Sequence, residues 1–201
     1  VFKGLIEFKP FYLVSNFKYQ TFRIKDLIEN PFFMEILKSQ ILNNKNLNAL
    51  INFDVKNVYD FDRFSDLSIK LKIEEGNYNF SNSNIIWKEN VNVSFSDSFL
   101  NFDKGKINLN GRTSFDVKNQ DEFYKFFQIK KDLRKNIEKI ELDFNYDFND
   151  EKITFDNLRI DERSNKKIEE IVSNFNSKSK KFFNKVTFKN FVNDILLAYF
   201  G

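Results

Sequence analysis

The sequence predicts a mainly β domain with flanking α-helices, in which an antiparallel twisted meander sheet, or a β-groove, carries a helical cap. Between Ala49 and Val117 apolar and polar residues alternate, which is typical of strands with one dry face. Turn residues recur there at short intervals, and connections this short leave no room for parallel crossovers. Segments outside this region carry apolar residues at helical spacing. Because a dry sheet face must be covered, the pattern predicts either a sealed core or an apolar groove.

Length and composition favour a single domain over residues 1–201. Of the 201 residues, 41% are hydrophobic and 17% aromatic, enough for a sizeable core. The chain has no His and no Cys, which excludes Ser-His-Asp and Cys-His nucleophile systems, thiolate or imidazole zinc sites and disulfides. We therefore predict no enzymatic activity, no catalytic residue, no cofactor and no metal. The net charge of +3 and the lack of interleaved basic and aromatic residues predict no nucleic-acid partner.

One enzymatic alternative remains, a hydrolase that uses a pair of carboxylates. The candidate pairs are Asp60 with Asp62 and Asp147 with Asp150, and neither has the spacing of a known calcium loop. The simpler interpretation is that these acidic residues lie on the surface and in turns and have no catalytic role.

The N-terminal part of the chain predicts strands followed by a helix. The segment from Val1 to Phe8 alternates loosely, and the stretch up to Arg23 predicts two or three short strands in all. Asn30 and Pro31 then suit an N-cap and a first helical residue. The residues behind them predict a helix near 31–42, with one apolar face formed by Phe33, Ile36, Leu37 and Ile41.

The central and later strands are interrupted once by a helix. Asn119 and Glu122 form a capping-box pattern ahead of apolar residues, which predicts a helix near 120–128. Two alternating runs then flank the turn at Asn149 and Asp150 and predict a hairpin.

The C-terminal region, residues 165–200, predicts two amphipathic helices with a lysine-rich stretch between them. Apolar residues fall at helical spacing from Ile168 to Phe175 and again from Phe188 to Tyr199. The second helix and the stretch before it could lie on anionic lipid headgroups. The favoured alternative is a solvated loop followed by a helix that caps the sheet. The membrane-surface candidates are Lys178, Lys180, Lys181, Lys185, Phe188 and Phe191.

The run from Leu67 to Asn119 reads LSIKLKIEEGNYNFSNSNIIWKENVNVSFSDSFLNFDKGKINLNGRTSFDVKN. A strand leads through Gly into an aromatic and Asn-rich segment, and a polar turn then precedes a Gly-marked return. This pattern resembles the short-strand repeat of the AsmA-like family of bacterial envelope proteins, and a weaker resemblance extends towards the C-terminus. The positions that carry it are Gly76, Ile85, Trp87, Ser98, Gly105 and Gly111.

The resemblance implies a periplasmic protein of a Gram-negative bacterium that is anchored in the inner membrane and serves outer membrane biogenesis. Its twisted β-groove would carry phospholipid, or another acyl-chain lipid, between the inner and outer membranes. The chain opens with Val1 and has no apolar run long enough to cross a bilayer, so we expect the anchor in a missing upstream segment. The family offers no catalytic residues.

Two functions from different classes follow from the dry sheet face. In the first, the face binds acyl chains, because apolar contact is non-directional and tolerates many lipids. In the second, the face is sealed and the domain is a structural or assembly module of the envelope that binds a protein partner. The predicted lipid-contacting residues, all expected on one face of a single antiparallel sheet, are Leu71, Ile73, Val93, Phe95, Leu109, Phe115, Leu142 and Phe144.

Overall fold

The computed structural model describes residues 1–8, 11–23, 35, 39, 44–59, 64–103, 105–178 and 185–201. The strands are β1 (Phe2–Phe8), β2 (Phe11–Phe22), β3 (Leu47–Val58), β4 (Phe64–Glu74), β5 (Asn77–Asn79), β6 (Asn84–Trp87), β7 (Val91–Asp103), β8 (Lys106–Val117), β9 (Lys139–Asp147) and β10 (Lys152–Ile160). The helices are α1 (Gln120–Phe127), α2 (Lys166–Lys178) and α3 (Lys185–Phe200). The prediction of a mainly β fold with flanking helices is confirmed. The helix predicted near 31–42 lies outside the described residues, except that Glu35 and Ser39 are helical.

The ten strands form one sheet in the order β1-β2-β3-β4-β5-β7-β8-β9-β10, and β6 lies beside β5 between β4 and β7. From β3 to β10 every pairing is antiparallel, as the alternating segments predict. The pair β2–β3 differs, because these strands run parallel. Residues 23–46 connect them. Parallel strands need a crossover connection of about a dozen residues or more, and this connection is long enough, whereas a tight turn joins only antiparallel strands. The predicted antiparallel sheet therefore includes one parallel pair that the sequence did not indicate.

The strand registers place the predicted apolar residues on one face of the sheet. Paired residues point to the same side, and the pairing runs from Ile73 through Tyr78 and Leu100 to Leu109. Strand β8 keeps an unbroken register against β9, so every second residue of β8 lies on that face with Leu109. The same register links the remaining predicted residues: Val93 pairs with Phe115, Phe95 and Leu142 both pair with Thr113, and Phe144 pairs with Gly111.

The three helices cover one end of this apolar face. Helix α1 begins as predicted, because the side chain of Asn119 accepts a hydrogen bond of 3.2 Å from the backbone N–H of Glu122. Helix α2 begins similarly at Asn165, which accepts a 2.9 Å hydrogen bond from the N–H of Ile168. Together the helices and strands β6–β10 form the helix-covered core, whose buried members include Val91, Val93, Phe123, Phe127, Ile137, Ile140, Leu142, Ile160, Ile168, Phe191, Ile195 and Leu196.

Candidate apolar binding face

A second part of the apolar face is built from strands without a described helix. It is named here the strand-only cluster, and its buried members are Ala49, Ile73, Tyr78, Leu100 and Ile107. Half-buried residues from the strands, and from the turns after β5 and β9, surround them: Leu13, Leu47, Ile51, Leu71, Phe80, Phe102, Leu109 and Phe148. Alternation explains this composition, since each strand turns its apolar residues to one side. Across the described ranges, helical cover is thus concentrated on β6–β10.

The eight predicted lipid-contacting residues share the apolar face but divide between these two clusters. Ile73, Leu71 and Leu109 belong to the strand-only cluster, where Ile73 is buried and the other two are half-buried. The remaining five belong to the helix-covered core or pack against it, with Val93 and Leu142 buried and Phe95, Phe115 and Phe144 half-buried. Five of the eight side chains therefore keep part of their surface accessible.

A β-bulge in β7 lies at the boundary between the two parts. The register shifts between Ser96 and Phe99, and Asp97 adopts a left-handed backbone conformation with φ of 48°. The extra residue turns Ser98 inward over Gly111. The hydroxyl of Ser98 donates a 2.9 Å hydrogen bond to the carbonyl of Ser96. The bulge therefore leaves Phe95 and Leu100 on the same face, although they are five positions apart.

The turn between β5 and β6 fills the gap opposite this bulge. The N–H of Ser98 donates to the hydroxyl of Ser81 at 3.1 Å, and the N–H of Phe80 donates to the carbonyl of Ser98 at 2.7 Å. The hydroxyl of Ser83 accepts a 3.0 Å hydrogen bond from the N–H of Lys70. These bonds satisfy buried serines that would otherwise be costly in an apolar face.

Tyr78 provides a polar atom inside the strand-only cluster. Its ring is buried and lies 5.3 Å from the ring of Phe102, centroid to centroid. Burial raises the pKa of Tyr78 to about 12, because the charged phenolate is poorly solvated there. Tyr78 is neutral at physiological pH, as an ordinary tyrosine would also be, and its ring adds apolar area to the face.

The opposite face of the sheet is polar and carries paired charges. Arg112 on β8 contacts Asp143 on β9 through a 2.8 Å bond from Nε to Oδ1, and Asn157 donates to the other carboxylate oxygen at 2.7 Å. Burial opposes ionisation of Asp143, but the hydrogen bonds from Arg112 and Asn157 outweigh it and lower its pKa. These hydrogen bonds link the three neighbouring strands β8, β9 and β10, and the three side chains are paired with one another.

Of the two carboxylate pairs considered for hydrolysis, the described residues include only Asp147 with Asp150, and these two lie at a turn. Asp147 accepts hydrogen bonds from the N–H groups of Asn149 and Asp150, at 2.8 and 3.0 Å, and so stabilises the β9–β10 turn. Lys106 lies 3.9 Å from both Asp147 and Asp150. Asp60 and Asp62 lie outside the described residues. Within the described residues, no group of three or more acidic side chains is arranged to hold a metal ion.

Helix α3 packs on the sheet. The sequence favoured this position over the membrane surface. The ring of Phe191 is stacked on Phe155 of β10 at 5.4 Å and lies 4.4 Å from Phe175 of α2. Phe191 is therefore buried inside the domain, while Phe188 is half-buried. Lys178 is exposed at the end of α2, whereas Lys180 and Lys181 lie outside the described residues and Lys185 is the first residue of α3. None of the described helices has the length and apolar character needed to cross a membrane.

Sequence reasoning missed several residues that shape this face. Tyr78 and Leu100 belong to the strand-only cluster, but Tyr78 lies in a strand of only three residues and the bulge disturbs the alternation before Leu100. Asn176 of α2 was also missed, because a polar residue in a helical pattern gives no sign of a partner. Its side chain accepts a 2.9 Å hydrogen bond from the N–H of Phe155 and donates a 2.7 Å bond to the carbonyl of the same residue.

No family model, curated protein or solved structure matches this chain. The resemblance to the AsmA-like family therefore stays a prediction that depends on the residues between Leu67 and Asn119.

Proposed function

We propose that this domain binds the acyl chains of phospholipid, or of another acyl-chain lipid, on the apolar face of its sheet. The observation that carries the proposal is the continuity of this face from β2 to β10, combined with described helical cover over β6–β10 alone. Lipid would contact the half-buried side chains of the strand-only cluster first, since these retain accessible surface. Leu71 and Leu109, two of the residues predicted from the sequence, are among them.

The physical basis is burial of apolar surface. Each methylene group removed from water contributes about 0.8 kcal/mol, so a long acyl chain gains substantially from a continuous apolar strip. Leu, Ile and Phe side chains impose no fixed geometry on such a chain, and lipid can therefore occupy successive strands in turn. A continuous row of apolar side chains across successive strands suits movement of lipid along the sheet. No bond needs to be made or broken, and we propose a non-enzymatic activity.

The cellular setting belongs to the same proposal. The AsmA-like resemblance supports a periplasmic domain, held at the inner membrane by a segment outside this chain, that moves lipid towards the outer membrane. The polar face opposite the apolar one, with the Arg112–Asp143 pair, suits a sheet surrounded by water on that side.

The test is lipid analysis of the purified domain with a pair of matched variants. Leu109→Asp places a carboxylate in the strand-only cluster, and Asn110→Asp places one on the opposite face of the same strand. We expect mass spectrometry to detect phospholipid with the wild-type protein and with Asn110→Asp, and to find it strongly reduced with Leu109→Asp. Circular dichroism monitors the fold of each variant. A wild-type domain that is folded but carries no lipid, even after incubation with phospholipid vesicles, contradicts the proposal.

The alternative is an assembly module whose apolar face is sealed and whose sheet edge recruits a protein. The specific observation that favours it is the full exposure of β1 at one edge of the sheet. Under this alternative Leu109→Asp fails to fold, because an unpaired buried carboxylate is costly, and the wild-type protein contains no lipid.

A further inference from the structure

The two edges of the sheet differ in their protection. At the β10 edge, α2 packs beside the strand and Asn176 occupies the outward backbone groups of Phe155. At the other edge, all seven residues of β1 are exposed and pair only with β2 among the described residues. The exposed fractions are 61% for Phe2, 54% for Leu5, 52% for Ile6 and 77% for Phe8. An edge this apolar and unprotected is a template for strand addition.

Hydrogen bonding at the start of β1 fixes which backbone groups point outward. The amino group of Val1 donates to the carbonyl of Lys18 at 2.9 Å, and the N–H of Lys18 donates back to Val1 at 3.0 Å. Antiparallel partners alternate between bonded and non-bonded pairs. Lys3, Leu5 and Glu7 therefore direct their backbone groups to β2. The free groups at the outer edge belong to Phe2, Gly4, Ile6 and Phe8.

We infer that β1 is a self-association surface that pairs antiparallel with β1 of a second copy of this chain, about a two-fold axis at Leu5. The outward set at positions 2, 4, 6 and 8 is symmetric about Leu5, so this register pairs every free group. Gly4 exchanges both backbone hydrogen bonds with Ile6 of the second copy, and Phe2 exchanges them with Phe8. The interface is isologous, as expected of a dimer with two-fold symmetry.

Charge complementarity selects this partner and this register. Lys3 of each copy lies opposite Glu7 of the other in a non-bonded pair, where side chains approach most closely. The two-fold axis produces this attractive pair twice. If the two-fold axis passes through Gly4 or Ile6 instead, the outward backbone groups can still bond to one another. In these registers, however, Lys3 no longer lies opposite Glu7, and one terminal Phe has no partner.

The apolar side chains of β1 also agree with this register. Phe2, Gly4, Ile6 and Phe8 lie on the apolar face, since they pair with Phe17, Ser15, Leu13 and Phe11 of β2. In the dimer the Phe2 ring of one copy lies next to the Phe8 ring of the other, and aromatic cross-strand pairs stabilise sheets. The apolar faces of the two copies then join into one. This inference does not depend on whether the face binds lipid.

The test measures the oligomeric state of the full chain by analytical ultracentrifugation over a concentration series. We expect a monomer–dimer equilibrium for the wild-type protein. Lys3→Glu opposes like charges at both pairs and should raise the dimer dissociation constant about tenfold. The double variant Lys3→Glu/Glu7→Lys restores opposite charges and should restore the dimer. Lys118→Glu, at an exposed position just beyond β8, changes net charge equally and is the matched control.

A backbone variant provides an independent test. The N–H of Ile6 points outward, so Ile6→Pro removes two hydrogen bonds from the dimer, one donated by each copy, without removing one to β2. We expect this variant to be a folded monomer by circular dichroism and ultracentrifugation. A wild-type protein that is monomeric at every concentration overturns the inference. So does a dimer that neither Lys3→Glu nor Ile6→Pro weakens, because its interface then lies elsewhere. Lipid content is measured separately, and a lipid-free dimer counts only against the proposed function.

Discussion

Gly111 on β8 lies directly beneath Ser98 at the bulge of β7, and the two residues approach so closely that a side chain at position 111 has no room. A Cβ atom at Gly111 would overlap the Ser98 hydroxyl oxygen and lie only 2.7 Å from the Ser98 Cα atom. Both positions are among those on which the predicted AsmA-like resemblance depends, and in the structure they are in direct steric contact. The glycine allows the bulge to fold inward between the two parts of the apolar face.

Gly111→Ala is therefore expected to destabilise the domain by roughly 1–3 kcal/mol, the usual cost of overpacking. Urea unfolding followed by circular dichroism measures the change. Adding Ser98→Ala removes the closest atom and should recover part of the loss, so the double variant should be more stable than the sum of the single changes predicts. Equal stability of Gly111→Ala and wild type would mean that the bulge is not formed as described.

Asn176→Ala is expected to cost about 1–3 kcal/mol, because it leaves the N–H and carbonyl of Phe155 without their side-chain partner. The loss should also expose the β10 edge and increase aggregation, which light scattering measures. Asn174→Ala, an exposed position on the same helix, is the control. If both variants behave alike, the side chain of Asn176 does not protect the edge.

Alkaline pH should destabilise the fold through buried tyrosines. Burial raises the pKa of Tyr78 and of Tyr124 to about 12, whereas unfolded tyrosine titrates near 10. The folded state therefore holds these protons more tightly. Its advantage is complete below pH 10 and is lost as the pH rises towards 12. Urea midpoints between pH 9 and 12 should fall less steeply for Tyr78→Phe than for wild type, and the exposed Tyr19→Phe serves as the control.

Removing α3 by truncation after Lys185 should cause aggregation and protease sensitivity, because it exposes the rings of Phe155 and Phe175. The milder change Phe191→Ala should cost about 3–5 kcal/mol in the free energy of unfolding. Limited proteolysis and urea unfolding measure the two effects. A truncated protein that stays monomeric and stable, yet no longer binds anionic vesicles, would favour the membrane-surface role instead.

The fold was predictable wherever local pattern and tertiary packing agree. Alternation identified the shared face of Leu71, Ile73 and Leu109, and the capping pattern at Asn119 identified the start of α1. The parallel β2–β3 pair was not predictable, because it depends on the path of a long connection and not on local sequence.

The candidate site was predictable in composition but not in its boundaries. Strict alternation from Phe95 would turn Phe99 inward, whereas the bulge turns Leu100 inward and leaves Phe99 exposed. A bulge depends on a few backbone angles, here at Asp97, that many polar residues can adopt. The division of the face between helix-covered and strand-only parts depends on long-range packing, which single-sequence periodicity does not report.

The parallel β2–β3 pairing also has a consequence for the dynamics of the domain. The β1–β2 hairpin joins the described sheet only through β3, so it can open as one cooperative unit while the strands beyond β3 stay paired. Its attachment pairs residues more than thirty positions apart, such as Leu13 with Ala49, and contacts this distant in sequence form slowly. Native-state hydrogen exchange should find the amides of β1 and β2 opening together, at a lower free energy than those of β7–β9. The hairpin would then be the last part of the sheet to form.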